Sequence, residues 1–176
     1  MLRLLVPVLL SGGLCIAQTA PESMPVLRKA PPLTFHVPDG QKSLGDFHGK
    51  VIALEFIQTT CPHCQAASHH MTKLQHELGP RGFQAIDLAI NTTSDADITA
   101  FMHTQQTDFL VGWIGFPEMG HFLNLTPGVR FLVPQLALID RHGDIRYQTP
   151  SQSAEITADE DLLRQALLKL LNEKGR

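Results

Sequence analysis

Cys61 and Cys64 stand three positions apart around Pro62-His63, and these four residues are the best placed in the chain to do chemistry. A thiol attacks a disulfide as its thiolate, so the chemistry needs a sulfur held where negative charge is favoured. A helix N-terminus is such a place, because its first backbone N–H groups are unpaired and its dipole is positive there. The local sequence supplies the junction. Val51 to Ile57 is a nearly unbroken apolar run and predicts a strand buried on both faces. Cys61 follows it, and Pro62 suits the first turn of a helix, where a missing N–H costs nothing. Cys61 is therefore expected at the exposed tip as the attacking thiol, with Cys64 one turn in as the thiol that resolves a mixed disulfide. His63 adds an N–H donor and, when protonated, a positive charge beside the sulfur. A bridge between residues so close closes too small a loop to add more than about 1–2 kcal/mol of stability. The pair reads as reactive; a structural disulfide and half of a zinc site are the alternatives.

Glu55 is the odd member of its strand. A carboxylate in an apolar run is desolvated, which raises its pKa and lets it exchange protons near neutral pH, unless it reaches water at a strand edge. Pro134 heads another apolar run, where it has no N–H for a sheet ladder and so needs an explanation. An X-Pro bond is trans by default. His69 and His70 follow the pair on the same helix. Adjacent helical residues point about 100° apart, so at most one could join the cysteines on a metal; solvent-facing positions are expected for both. Trp113 and His121 are candidates for a substrate groove but fit core or surface roles better, and Phe116, Phe122 and Phe131 are candidates for an apolar surface near the site.

The elements that must position these residues alternate as β and α. Ala67, Met71, Leu74 and Leu78 mark one helical face, which Gly79-Pro80 ends. Phe83 to Ile90 predicts a second strand, and Ser94 caps a helix with Ile98, Phe101 and Met102 on its buried side. Phe109 to Ile114 reads as extended, whereas Phe116 to Leu125 is ambiguous between short helix and loop. Leu136 to Asp140 and Ile145 to Thr149 predict a hairpin around Arg141-His142-Gly143-Asp144. A capping box, Thr157 with Glu160, opens a last helix whose apolar face is Leu163, Ala166, Leu167, Leu170 and Leu171. The whole predicts an α/β sandwich with a mixed sheet.

At 176 residues, 43% hydrophobic and 18% charged, the chain suits one ordinary domain and not a disordered one. A net charge of -3 with no concentrated basic stretch, and few aromatics, excludes nucleic acid as the expected partner. Residues 1–17 read as a signal peptide: Arg3, an apolar stretch from Leu4 to Leu10, and Cys15-Ile16-Ala17 as a small-x-small cleavage pattern. Cys15 leaves lipidation open, and a retained anchor is a further alternative; membrane contact is expected only in those cases. Residues 18–32, rich in proline and small polar residues, read as a linker to a domain over 33–176. Cleavage after Ala17 leaves a single cysteine pair in an exported chain.

With these residues in view, the chain resembles thioredoxin-fold proteins, and among them the exported TlpA/ResA-like thiol-disulfide oxidoreductases. The resemblance spans about residues 30–150. It rests on Ala30-Pro31-Pro32-Leu33-Thr34-Phe35, on Ser43-Leu44-Gly45-Asp46-Phe47-His48-Gly49-Lys50 before the first long strand, on the CPHC pair, and on Val133-Pro134 before Leu138-Ile139-Asp140-Arg141-His142-Gly143. It implies a three-layer α/β/α sandwich with a central mixed sheet. It implies that Glu55 passes a proton to and from Cys64, that Pro134 is cis and faces the cysteines, and that Val133 offers its backbone to an extended substrate. The family usually carries Trp just before the first cysteine; here Thr60 stands there. Pro62-His63 matches the dipeptide of DsbA, a strong oxidant, while the flanking sequence resembles a group more often reducing, so the direction of electron flow stays open.

The function expected is extracytoplasmic disulfide exchange with protein thiols and a redox partner protein, using a Cys61–Cys64 redox disulfide and no other cofactor or metal. Two alternatives are weighed against it. A copper-binding or copper-delivery protein would use the cysteines and a histidine. A peroxiredoxin-like peroxidase wants Thr three positions before the reactive cysteine, and that position is Gln58.

Overall fold

The computed structural model describes residues 27–151 and 155–173; the expected signal peptide and most of the expected linker lie outside them. Eight strands form one sheet: β1 (Arg28–Lys29), β2 (Thr34–Val37), β3 (Gly40–Ser43), β4 (Val51–Ile57), β5 (Phe83–Ala89), β6 (Leu110–Trp113), β7 (Gln135–Ile139) and β8 (Asp144–Gln148), in the order β1-β8-β7-β4-β5-β6-β2-β3. β4, β5 and β6 run parallel, and every other pair is antiparallel. The helices are α1 (Pro62–Leu78), α2 (Asp95–Gln105), α3 (Phe116–Leu123), α4 (Glu155–Ala158) and α5 (Glu160–Asn172).

β4 is fully buried along its length because both its faces are covered. Val51, Ala53 and Ile57 meet a cluster built from α1 (Cys64, Met71, Leu74, Leu78), α2 (Ile98, Phe101) and α5 (Leu163, Leu167, Leu170, Leu171). Ile52, Leu54 and Phe56 meet a second cluster with Phe35 and Val37 of β2 and Met119, Phe122 and Leu123 of α3. Two cores on either side of a mixed sheet make the three-layer α/β/α sandwich of the thioredoxin-like fold, as the sequence implies.

Several boundaries differ from the sequence reading. The sheet begins ahead of Leu33: Leu27 and Ala30 donate backbone N–H groups to Ile145 and Gly143, so the end of the expected linker is β1. β2 and β3 form a hairpin that no apolar periodicity announces; its turn is Pro38-Asp39, and Gly40, the first residue of β3, has φ at 126°. β2 then crosses β6 at Gly112, where a Cβ would lie 2.2 Å from the His36 carbonyl oxygen. The expected capping box of the last helix does not form. Thr157 is buried inside the single turn of α4, and Asp159 caps α5, its carboxylate accepting N–H bonds from Asp161 and Leu162. An aspartate one residue from the helix start outcompetes a threonine that has a tertiary place to fill. Phe116 to Leu123 resolves to helix, and Met102 is only half-buried.

Candidate active site

β4 ends at Ile57, and a short loop leads to Cys61, the N-cap of α1, whose φ of -84° and ψ of 120° are extended. Pro62 occupies the first helical turn. The loop is braced from two sides. Thr59 donates its N–H to Asn91 Oδ1 at 3.0 Å, Asn91 Nδ2 donates back to Thr59 Oγ1 at 3.0 Å, and Gln65 Nε2 donates to the Thr59 carbonyl at 2.9 Å. Asn91 and Gln65 were not singled out from the sequence, since isolated amides carry no signal until a loop is seen between them.

The two thiols are free and sit in different surroundings. Cys61 is half-buried, Pro62 and His63 are exposed, and Cys64 is wholly buried. The Gln58 backbone N–H lies 3.4 Å from Cys64 Sγ. Burial pushes the Cys64 thiol far up; the Gln58 N–H opposes this, and Cys61 and Glu55 add to it. Cys64 is thus held as the protonated partner until a base takes its proton.

Glu55 does not reach water: it is fully buried, no donor group meets either carboxylate oxygen, and Asp87 is within hydrogen-bonding reach, a bond that forms when one of the two acids carries a proton. Burial drives its pKa well above the ordinary carboxylate value, and the charge of Asp87 adds to the effect. Asp87 is the residue that the sequence reading missed. It stands opposite Glu55 in the parallel β4–β5 register, is fully buried, and accepts a bond of 2.5 Å from Ser68 Oγ on α1. Burial raises Asp87 to about 7, with the bond from Ser68 working against the rise.

The Val133–Pro134 peptide is cis. Val133 and Cys61 both pack on the rim of the same core cluster, and among the described residues no backbone partner is paired with Val133. The loop is held from behind by buried polar groups. Gln135 Nε2 donates to the Leu132 carbonyl at 2.7 Å, Thr149 Oγ1 donates to Gln135 Oε1 at 3.1 Å, and Leu132 N–H donates to Ser151 at 2.7 Å.

The remaining candidates divide. Trp113 stacks on His36 with ring centroids 3.9 Å apart, and its Nε1 donates to Asp95. Phe122 is buried core, whereas Phe116 is half-exposed and tilts against Phe131 at 5.3 Å. His121 is exposed beside them. His69 is exposed; His70 is not solvent-facing as expected but half-buried, with Nδ1 3.1 Å from the Thr157 carbonyl. Among the described residues no group of three or more His, Cys, Asp or Glu side chains is placed to hold a metal ion.

A strand that runs into Cys-x-x-Cys at a helix tip, with a cis-proline loop on the same cluster, defines a thioredoxin-like oxidoreductase. The chain belongs to the Redoxin family, whose model matches residues 25–167. No curated protein matches the sequence. Solved structures match the fold. A putative thiol:disulfide interchange protein DsbE from Chlorobium tepidum is 23% identical with a TM-score of 0.70, covering 85% of this chain and 100% of that one. A putative protein disulfide isomerase from Bacteroides thetaiotaomicron is 22% identical with a TM-score of 0.67, covering 85% and 92%. A secreted Mycobacterium tuberculosis disulfide oxidoreductase is 14% identical with a TM-score of 0.61, covering 78% and 96%.

Proposed function

We propose that this protein is an extracytoplasmic thiol-disulfide oxidoreductase that exchanges disulfides with protein substrates through Cys61 and Cys64. The observation that carries the reading is the asymmetry of the pair: a half-exposed Cys61 at the start of α1, above a fully buried Cys64. The outer sulfur is the one a substrate disulfide can reach, while burial keeps the inner one protonated. When the protein acts as reductant, Cys61 thiolate attacks a substrate disulfide, a Cys61–substrate bond forms and the first substrate sulfur leaves as thiolate. Cys64 then gives up its proton and attacks Cys61 Sγ; the intramolecular disulfide forms, and the second substrate sulfur departs with its electron pair. Oxidation of a substrate dithiol is the same path in reverse. Glu55 is the group that takes or returns the Cys64 proton, and Val133 supplies backbone pairing for an extended substrate. The exported location draws on the N-terminal residues 1–17 and on the description of the Mycobacterium protein as secreted. No helix among the described residues is long and apolar enough to cross a membrane.

The test is insulin reduction and refolding of a scrambled disulfide protein, by the wild type and by Cys61→Ser. The wild type is expected to catalyse at least one of these, and Cys61→Ser neither, while still folding. Full activity in Cys61→Ser overturns the reading. Peroxide consumption or tight Cu(I) binding by a wild type that exchanges no disulfides would put a peroxidase or a copper carrier in its place.

A further inference from the structure

Glu55 and Asp87 face each other as register partners on adjacent parallel strands, both at 0% exposure. Two ionised carboxylates so placed repel one another with no water to screen them, so the pair retains a proton. The groups that the surrounding elements bring to bear on it are few. α1 contributes Cys64 and the Ser68 hydroxyl; β7 places Leu136 opposite Glu55, β6 places Val111 opposite Asp87, and α2 and α5 contribute apolar side chains to this cluster. Among the described residues no cation neutralises the pair. The buried side-chain oxygens that no separate donor meets among the described residues are both oxygens of Glu55, Oδ1 of Asp87, and Thr107 Oγ1 far along the sequence, and the two acids lie within hydrogen-bonding reach of each other. The first three are the atoms a two-carboxylate relay requires: one Glu55 oxygen to receive a proton, the other to release one, and Asp87 Oδ1 to accept it. Asp87 Oδ2 is already occupied by Ser68.

The geometry points to Asp87 as a positioning residue that holds the far end of a proton relay, Cys64 to Glu55 to Asp87, with Ser68 fixing its carboxylate. This rests on the reading of Cys61 and Cys64 as an exchanging pair. Before Cys64 attacks, its S–H bond breaks and an O–H bond forms on one Glu55 oxygen. The O–H on the other Glu55 oxygen breaks as one forms on Asp87 Oδ1, leaving Glu55 neutral throughout. When Cys64 instead leaves as thiolate, the two transfers run backwards. No charge ever stands alone on Glu55, and the negative charge moves between Asp87, which has a hydroxyl to stabilise it, and the sulfur. The elevation of Asp87 to about 7 is consistent with a carboxylate that can take and give a proton at neutral pH.

The test follows the rate of the exchange reaction against pH from 5 to 9 in the wild type, Asp87→Asn and Ser68→Ala, with folding checked by circular dichroism. The wild-type rate is expected to rise through a limb near neutrality. Asp87→Asn is expected to lose that limb and to react on the order of a hundredfold more slowly at pH 8, the low end of the usual contribution of a positioned proton acceptor. Ser68→Ala removes the donor to the Asp87 anion, so its limb should move to higher pH. If Asp87→Asn fails to fold, the shift in Ser68→Ala decides alone. A wild-type limb kept unchanged in the folded variants overturns the relay while leaving disulfide exchange intact. A wild type that exchanges nothing removes the reading beneath it, and the relay with it.

Discussion

Cys61 and Cys64 are separated by one helical turn, yet one is within reach of solvent and the other is sealed in the core. On the proposed exchange reading, that difference orders their chemistry, and it predicts how each substitution fails. Cys64→Ser should accumulate a Cys61–substrate mixed disulfide, visible as a covalent adduct by mass spectrometry, because the resolving thiol is gone. Cys61→Ser should accumulate none. In the reduced wild type, iodoacetamide should modify Cys61 at least about tenfold faster than Cys64, because the outer sulfur is accessible and burial keeps the inner thiol protonated; equal rates would contradict the assignment. At this scale the sequence was informative where a residue type broke its surroundings. Glu55 stood out in an otherwise apolar run. Asp87 did not, because Gln84 already makes its own strand look half-solvated, and only the parallel register of β4 and β5 sets the second carboxylate opposite the first.

Elements were readable in proportion to the apolar length that they bury. β4, α1 and β5 carry long patterns, and their observed limits fall within a residue or so of those expected. The β2–β3 hairpin carries only short, mostly polar strands, with β3 exposed along most of its length, so periodicity gave it no weight. Its turn residues, Pro38-Asp39-Gly40, were the usable signal. At α5 the capping rule was sound but applied to the wrong residue, because Thr157 and Asp159 lie two positions apart and tertiary packing chose between them. Asp159→Ala should therefore lower stability by about 1 kcal/mol. A urea titration in which it costs nothing would return the cap to Thr157. Gly112→Ala should cost more than Asp159→Ala, because its Cβ meets the backbone of β2 and not a movable side chain.

Across the whole molecule, two sets of buried carboxylates pull stability in opposite directions with pH. Asp140 is buried at the turn of the β7–β8 hairpin; burial alone would raise its pKa, but the N–H groups of Asp144 and His142 and the guanidinium of Arg146 outweigh this and lower it. Arg146, 2% exposed, also binds Glu173 beyond the end of α5, tying the C-terminal helix to the sheet. A lowered acid contributes stability above its unfolded value, which is lost as pH falls through the folded one. Glu55 and Asp87 are raised, so the sign reverses. The folded state binds more protons than the unfolded chain between the ordinary carboxylate range and neutrality, and stability falls as pH rises through that window. The protein should therefore be more resistant to urea at pH 5 than at pH 8, and Asp87→Asn should flatten that slope by raising stability at pH 8. Arg146→Ala should instead cost on the order of 3 kcal/mol at every pH where Asp140 is ionised, because it leaves a buried charge uncompensated. Urea midpoints of the three proteins across pH 4.5 to 8.5 separate these effects. A wild-type midpoint that climbs steadily toward pH 8 would mean that the two facing carboxylates are not held protonated in the fold, and that the strained charge at the centre of the sheet does not exist.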